Sequence, residues 1–151
     1  MTGGAPMLNV GDEAPDFEVL DHHGKPVRLS GLRGKRVVLW FYPKADTPGC
    51  TIEGCTFRDL ASEYAAKNVA IYGVSFDKPE DNAAFADKFG FRFPLLSDVD
   101  RKVGLAYGAA TSEKDEYAKR IAYVIDENGR IAEAHAKVDP KTYPAEQLAR
   151  L

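Results

Sequence analysis

The stretch Val37-Val38-Leu39-Trp40-Phe41-Tyr42-Pro43-Lys44-Ala45-Asp46-Thr47-Pro48-Gly49-Cys50 decides how this chain folds, because it carries a strand, a stop and a helix start in succession. Val37 to Tyr42 is a continuous apolar run rich in β-branched and aromatic residues, the pattern of a strand buried on both faces. Pro43 ends it. Thr47 is a good N-cap residue, and Pro48 falls at the first helical position, where the N–H that proline lacks would have had no partner. Cys50 is then the third helical residue, the place that a capping box gives to Glu or Gln. A thiol there meets free backbone amides and the positive end of the helix dipole, which favour its thiolate form.

Beyond Cys50, a projection at about 100° per residue aligns Phe57, Leu60, Ala61, Tyr64 and Ala65 in one apolar stripe, expected to pack on the sheet. Cys50 projects within about 20° of its centre, Glu53 about 40° from it and Cys55 about 160° away. One thiol is therefore expected to face inward and the other water. In an unbroken helix the two Cα atoms stand about 8–9 Å apart, beyond the limit of about 7 Å for a disulfide. A bond between Cys50 and Cys55 would require the first turns of the helix to unwind. The plainer readings are an inert, packed Cys50 and a solvent-facing Cys55 with no partner.

On either side of this segment the pattern continues as a short N-terminal hairpin, Phe17 to Leu20 and Pro26 to Leu29, around the turn Asp21-His22-His23-Gly24. After the helix to Lys67 come a strand over Val69 to Ser75, a helix over Pro79 to Phe89, an extended piece at Pro94 to Leu96 and a short helix over Arg101 to Tyr107. Ile121 to Asp126 and Arg130 to His135 flank the hairpin turn Glu127-Asn128-Gly129, and a last helix begins near Pro144. A β-α-β beginning and a β-β-α ending predict an α/β fold, with a central mixed sheet, helices on both faces and an N-terminal β-hairpin. The 151 residues suit one domain, assigned to 7–151, with 1–6 as a flexible leader.

Twenty Lys and Arg against 23 Asp and Glu leave a net charge of −3, which gives no nucleic-acid footprint. No apolar run is long enough to cross a membrane, and the N-terminus lacks the basic and apolar regions of a signal peptide, so a cytoplasmic protein is expected. Two cysteines in a chain this long do not make a disulfide scaffold.

The segment Pro43-x-x-x-Thr47-x-x-Cys50 resembles the active-site motif of the peroxiredoxins, and Thr47-Pro48-Gly49-Cys50-x-x-Glu53-x-Cys55 is similar to their Q-type, or bacterioferritin-comigratory, subgroup. The likeness extends over nearly the whole chain through Gly11-Asp12-x-Ala14-Pro15-Asp16-Phe17, Gly73-Val74-Ser75, Pro94-Leu95-Leu96-Ser97-Asp98 and Arg120-Ile121-Ala122-Tyr123-Val124-Ile125-Asp126-x-x-Gly129, in that order. It implies a thioredoxin-like fold and a thiol peroxidase. Carried over by position, Cys50 matches the peroxidatic cysteine, Cys55 the resolving cysteine, Thr47 and Pro43 the residues that shape the peroxide pocket, and Arg120 the arginine beside the thiolate. The implied chemistry is attack of the thiolate on a peroxide O–O bond, condensation of the sulfenic acid with Cys55, and reopening of that disulfide by thioredoxin or glutaredoxin.

These residue types suit that chemistry. Negative charge moves from sulfur to the leaving oxygen, so fixed donors around both atoms stabilise the transition state more than the ground state. Arg120 supplies a permanent charge, the Thr47 hydroxyl can hold the peroxide, and Glu53 is placed to orient Arg120. Phe41 and Tyr42 near the predicted pocket would tolerate an alkyl tail, so hydrogen peroxide and organic hydroperoxides are both expected substrates. Resolution within one chain needs no second subunit, and a monomer is expected. Neither a metal nor a cofactor is implied: His22, His23 and His135 read as solvated side chains without zinc-site spacing, and no phosphate-binding glycine loop precedes a helix. Two other readings compete, a general disulfide oxidoreductase, which would use C-x-x-C rather than four intervening residues, and a non-enzymatic redox-responsive holdase.

Overall fold

The computed structural model describes residues 7–151; the expected leader, 1–6, lies outside them. The stretch from Val37 forms strand β3 (Arg36–Phe41), and the residues after Thr47 form helix α1 (Pro48–Ala66). Around them lie β1 (Glu18–Asp21), β2 (Pro26–Arg28), β4 (Val69–Ser75), α2 (Pro79–Phe89), β5 (Leu95–Ser97), α3 (Lys102–Tyr107), β6 (Ala122–Ile125), β7 (Ile131–His135) and α4 (Tyr143–Arg150). The seven strands make one sheet in the order β2-β1-β5-β4-β3-β6-β7. β3, β4 and β5 run parallel and the remaining pairs antiparallel, which is the expected mixed sheet.

Because side chains alternate across a strand, β3 feeds two cores at once. Val37, Leu39 and Phe41 join Val103 and Tyr107 of α3 on one face. Val38, Trp40 and Tyr42 join Phe57 and Tyr64 of α1, Phe85 of α2 and Tyr143 of α4 on the other. Three helices thus cover the second face and one the first. Two helices of that face, α1 and α4, are tied together where the Tyr64 hydroxyl donates to Pro144 O at 2.6 Å.

Several expectations shift. Leu29 does not extend the hairpin but opens a 3-10 turn, Leu29–Leu32; the hairpin joins the main sheet, where β1 pairs antiparallel with β5 through Leu20↔Ser97 and Asp21↔Leu96. Ala65 leaves the predicted stripe and is exposed, whereas Glu53 and Gly54 are buried on α1, where Arg120 meets Glu53 and Phe91 lies against Gly54. His22 is not solvated. It is buried, its Nδ1 accepts Leu95 N–H at 3.1 Å, and burial followed by neighbouring His23 lowers its pKa. No helix among the described residues is long and apolar enough to cross a membrane.

Candidate active site

The parallel strands β3 and β4 end at the same edge of the sheet, and their C-terminal ends are where open α/β sheets place their sites. The chain leaves β3 through Tyr42, passes Pro43, half-buried at the strand exit, and enters α1 at Thr47. Thr47 is the N-cap residue, with extended backbone angles, and Pro48 holds the first helical position. The expected side-chain cap is not made. The Thr47 hydroxyl instead donates to Lys44 O at 2.7 Å, which tightens the loop and leaves the oxygen lone pairs free to accept.

Cys50 sits on the third helical residue, fully buried in the core shared with Trp40, Tyr42 and Phe57. Arg120, from the segment before β6, reaches it across the sheet edge: Nη2 lies 3.5 Å from Cys50 Sγ, and Nη1 donates to Glu53 Oε1 at 2.8 Å. Gly49 makes the approach feasible, since a Cβ there would stand 2.8 Å from Arg120 Nη2. Glu53 is completely buried. Burial pushes its carboxyl up to about 7, against the pull of Arg120 towards the ionised form, and Oε2 has no hydrogen-bond partner. Burial opposes the Arg120 cation, but Cys50 and Glu53 more than offset this, so the guanidinium is held charged.

Cys55 departs from its expected position. Rather than facing water it is half-buried and packs against the core that contains Cys50; on neighbouring Gly54 a Cβ would meet the Phe91 ring at 2.5 Å. Both thiols are free. Phe41 and Tyr42 offer no face to an alkyl tail, since both are fully buried on opposite sides of the sheet.

The sequence reading missed the polar residues under the loop. Ala45 N–H is bonded to Asp77, just beyond β4, and the Tyr42 hydroxyl to Asn82 of α2. The polar Ser75-x-Asp77 at the end of an apolar strand was the available signal. Among the described residues no cluster of three or more His, Cys, Asp or Glu is placed to hold a metal ion.

A buried cysteine at a helix start, with a guanidinium on its sulfur and a carboxylate behind that guanidinium, is an arrangement for moving negative charge off sulfur. Comparison with known proteins gives the family. Residues 10–134 match the AhpC/TSA family. A putative peroxiredoxin of Mycobacterium tuberculosis is 44% identical over 137 residues, 87% of each chain. The crystal structure of the peroxidoxin BcpB of the same organism superposes with a TM-score of 0.87 at 37% identity, covering 94% of this chain and 95% of that one. The bacterioferritin comigratory protein of Xanthomonas campestris, described for its alkyl peroxide reduction activity, gives 0.86 at 28% identity over 94% and 96%. The chain therefore belongs to the AhpC/TSA family and is a peroxidase, a peroxiredoxin of the bacterioferritin-comigratory type with the thioredoxin-like fold of that group.

Proposed function

We propose that Cys50 is the peroxidatic cysteine and Cys55 the resolving one, in a thioredoxin-dependent peroxidase of hydrogen peroxide and organic hydroperoxides. The observation that carries the proposal is the Arg120 guanidinium, 3.5 Å from the Cys50 sulfur and fixed by Glu53. The Cys50 thiolate attacks the terminal peroxide oxygen; the S–O bond forms as the O–O bond breaks, and the leaving hydroxide or alkoxide takes up a proton to become water or an alcohol. Arg120 holds the developing charge, the Thr47 oxygen accepts from the peroxide hydroxyl, and Pro43 closes the pocket against water. Cys55 then attacks the sulfenic sulfur, releasing water and forming the disulfide, which a thioredoxin dithiol, or a glutaredoxin, reduces by exchange. The alkyl peroxide activity described for the Xanthomonas relative supports the organic substrates.

The cysteines lie five positions apart on one helix, so the disulfide forms after the first turns of α1 open, and nothing is required of a second subunit; the proposal accordingly takes the protein as a monomer, with residues 7–151 as its peroxidase domain and the reducing cytoplasm as its setting. The test is NADPH oxidation coupled through thioredoxin reductase and thioredoxin. Turnover that depends on peroxide and disappears in Cys50→Ser is the expected result. Disulfide exchange without peroxide consumption would favour a general oxidoreductase, and suppression of client aggregation surviving Cys50→Ser a holdase.

A further inference from the structure

Beneath the loop that carries Pro43 and Thr47, hydrogen bonds converge on the Asp77 carboxylate from two sides, from the Tyr42 hydroxyl through Asn82 and Ser75 and from the Ala45 amide of the loop itself. The Tyr42 hydroxyl donates to Asn82 Oδ1 at 2.6 Å. Asn82 Nδ2 donates to Ser97 Oγ at 2.9 Å and to Ser75 Oγ at 3.2 Å. Ser75 Oγ donates to Asp77 Oδ2 at 2.8 Å, and the same carboxylate oxygen accepts Ala45 N–H at 2.8 Å. Tyr42, Ser75 and Asn82 are fully buried, so each lost partner leaves a polar group without water to replace it. On the loop side the bonds end on the backbone of the residue that lies midway between Pro43 and Thr47.

That segment needs an external hold. Asp46, next to Ala45, has φ of 61°, a left-handed conformation that a non-glycine residue adopts at a cost. Its carboxylate is tied to Lys88 of α2 at 2.9 Å, but both partners are exposed and such a pair contributes little. Lys44 lies over the Tyr117 ring at 5.8 Å. The Asp77 bond to the Ala45 amide is the partly buried one of these attachments, and it joins the loop to the chain just beyond β4, a central strand of the sheet.

We infer that Asp77 is a positioning residue for peroxide reduction: its carboxylate holds the Pro43–Thr47 loop in reactive shape through the Ala45 amide, and Ser75, Asn82 and Tyr42 hold Asp77. The inference rests on the reading of Cys50 as the nucleophile. Asp77 touches neither the sulfur nor Arg120, so its loss disturbs the peroxide cradle while leaving the helix start and the guanidinium that favour a charged sulfur. The two reactivities of Cys50 therefore separate. Attack on peroxide needs the cradle, whereas alkylation by iodoacetamide needs only the thiolate.

The experiment uses the full chain in a Cys55→Ser background, so that Cys50 is the one reactive thiol, with peroxide consumption and iodoacetamide alkylation followed across pH. Asp77→Ala is expected to slow the peroxide reaction at least about tenfold while alkylation stays within about twofold and keeps its pH midpoint. Asp77→Asn, which retains an acceptor for the Ala45 amide, is expected to recover to within about threefold of the parent. If the alanine variant does not fold, Tyr42→Phe carries the comparison from the far end of these hydrogen bonds, with a selective loss of about threefold. Peroxide rates equal to the parent, a parallel fall of both reactivities, or an asparagine variant as slow as alanine would each overturn the inference. A Cys50→Ser protein that still consumes peroxide would instead overturn the reading on which it rests.

Discussion

Arg120 Nη1 donates to Glu53 Oε1 at 2.8 Å, joining a partly exposed cation to a carboxylate with no exposure at all. The carboxylate is the anchor, since a fully enclosed side chain fixes the plane of the guanidinium whose other nitrogen faces Cys50 Sγ at 3.5 Å. Lysine offers a point charge without the fork needed to meet both groups. Arg120→Ala is expected to lower the second-order rate with hydrogen peroxide by about 10²–10³ and Arg120→Lys by less, with far-UV circular dichroism unchanged. An alanine variant with parental kinetics would remove Arg120 from the mechanism.

Glu53 also links stability to pH. Burial raises its carboxyl from 4.5 to about 7, so between those values the folded state binds more protons than the unfolded one and stability falls as pH rises. Its contribution is fully present below about pH 4.5 and is lost as pH passes through about 7. A change of this size corresponds to an upper limit of about 3–4 kcal/mol. In urea melts of reduced protein, the stability of the parent minus that of Glu53→Gln should decline between pH 5 and pH 8. A difference that is flat or rises with pH would contradict the assignment.

Gly54 lies between the two cysteines, where a methyl group would stand 2.5 Å from Phe91 Cζ. That ring has little room to yield, with Phe85 at 5.0 Å and Phe93 at 5.1 Å between centroids. Alanine gains about 1 kcal/mol of helix propensity but overpacks the contact by about 1–3 kcal/mol. Gly54→Ala is expected to lower the melting temperature of the reduced protein by a few degrees, measured calorimetrically; an increase would mean that Phe91 moves aside freely.

Cys55 lies on the same intact helix as Cys50 and is half-buried, so under the proposed mechanism resolution competes with reclosure of α1. Cys55→Ser should leave the first peroxide turnover intact and abolish cycling with thioredoxin, and mass spectrometry should find sulfenic or sulfinic acid on Cys50 in place of an internal disulfide. Many rapid turnovers of this variant with thioredoxin alone would show that Cys55 is not the obligatory resolving residue.

The β3-to-α1 passage was legible because its signals are local: an apolar run, Pro43, Thr47 and Pro48 each act within one turn of chain. The inward projections of Cys50 and Glu53 followed from helical geometry alone. What sequence periodicity did not hold was contact made from far along the chain. His22 is bonded to the amide of Leu95 on the neighbouring strand, Cys55 packs against the core that contains Cys50, and Ala45 is fixed by Asp77. Thr47 kept the expected cap position but turned its hydroxyl to Lys44 O, an alternative open to any short hydroxylic side chain beside a turn.

The central claim is that this pocket activates the Cys50 sulfur towards peroxide, and stopped-flow mixing of reduced protein with one equivalent of hydrogen peroxide at pH 7 tests it most directly. Trp40 supplies the signal, since its ring lies 5.2 Å from Phe57 on α1 and senses the helix as it opens. The expected result is peroxide loss at least several orders of magnitude faster than by free cysteine, abolished by Cys50→Ser, with a fluorescence change that follows the chemistry and is absent in Cys55→Ser. Consumption no faster than by free cysteine, or undiminished in Cys50→Ser, would contradict the account.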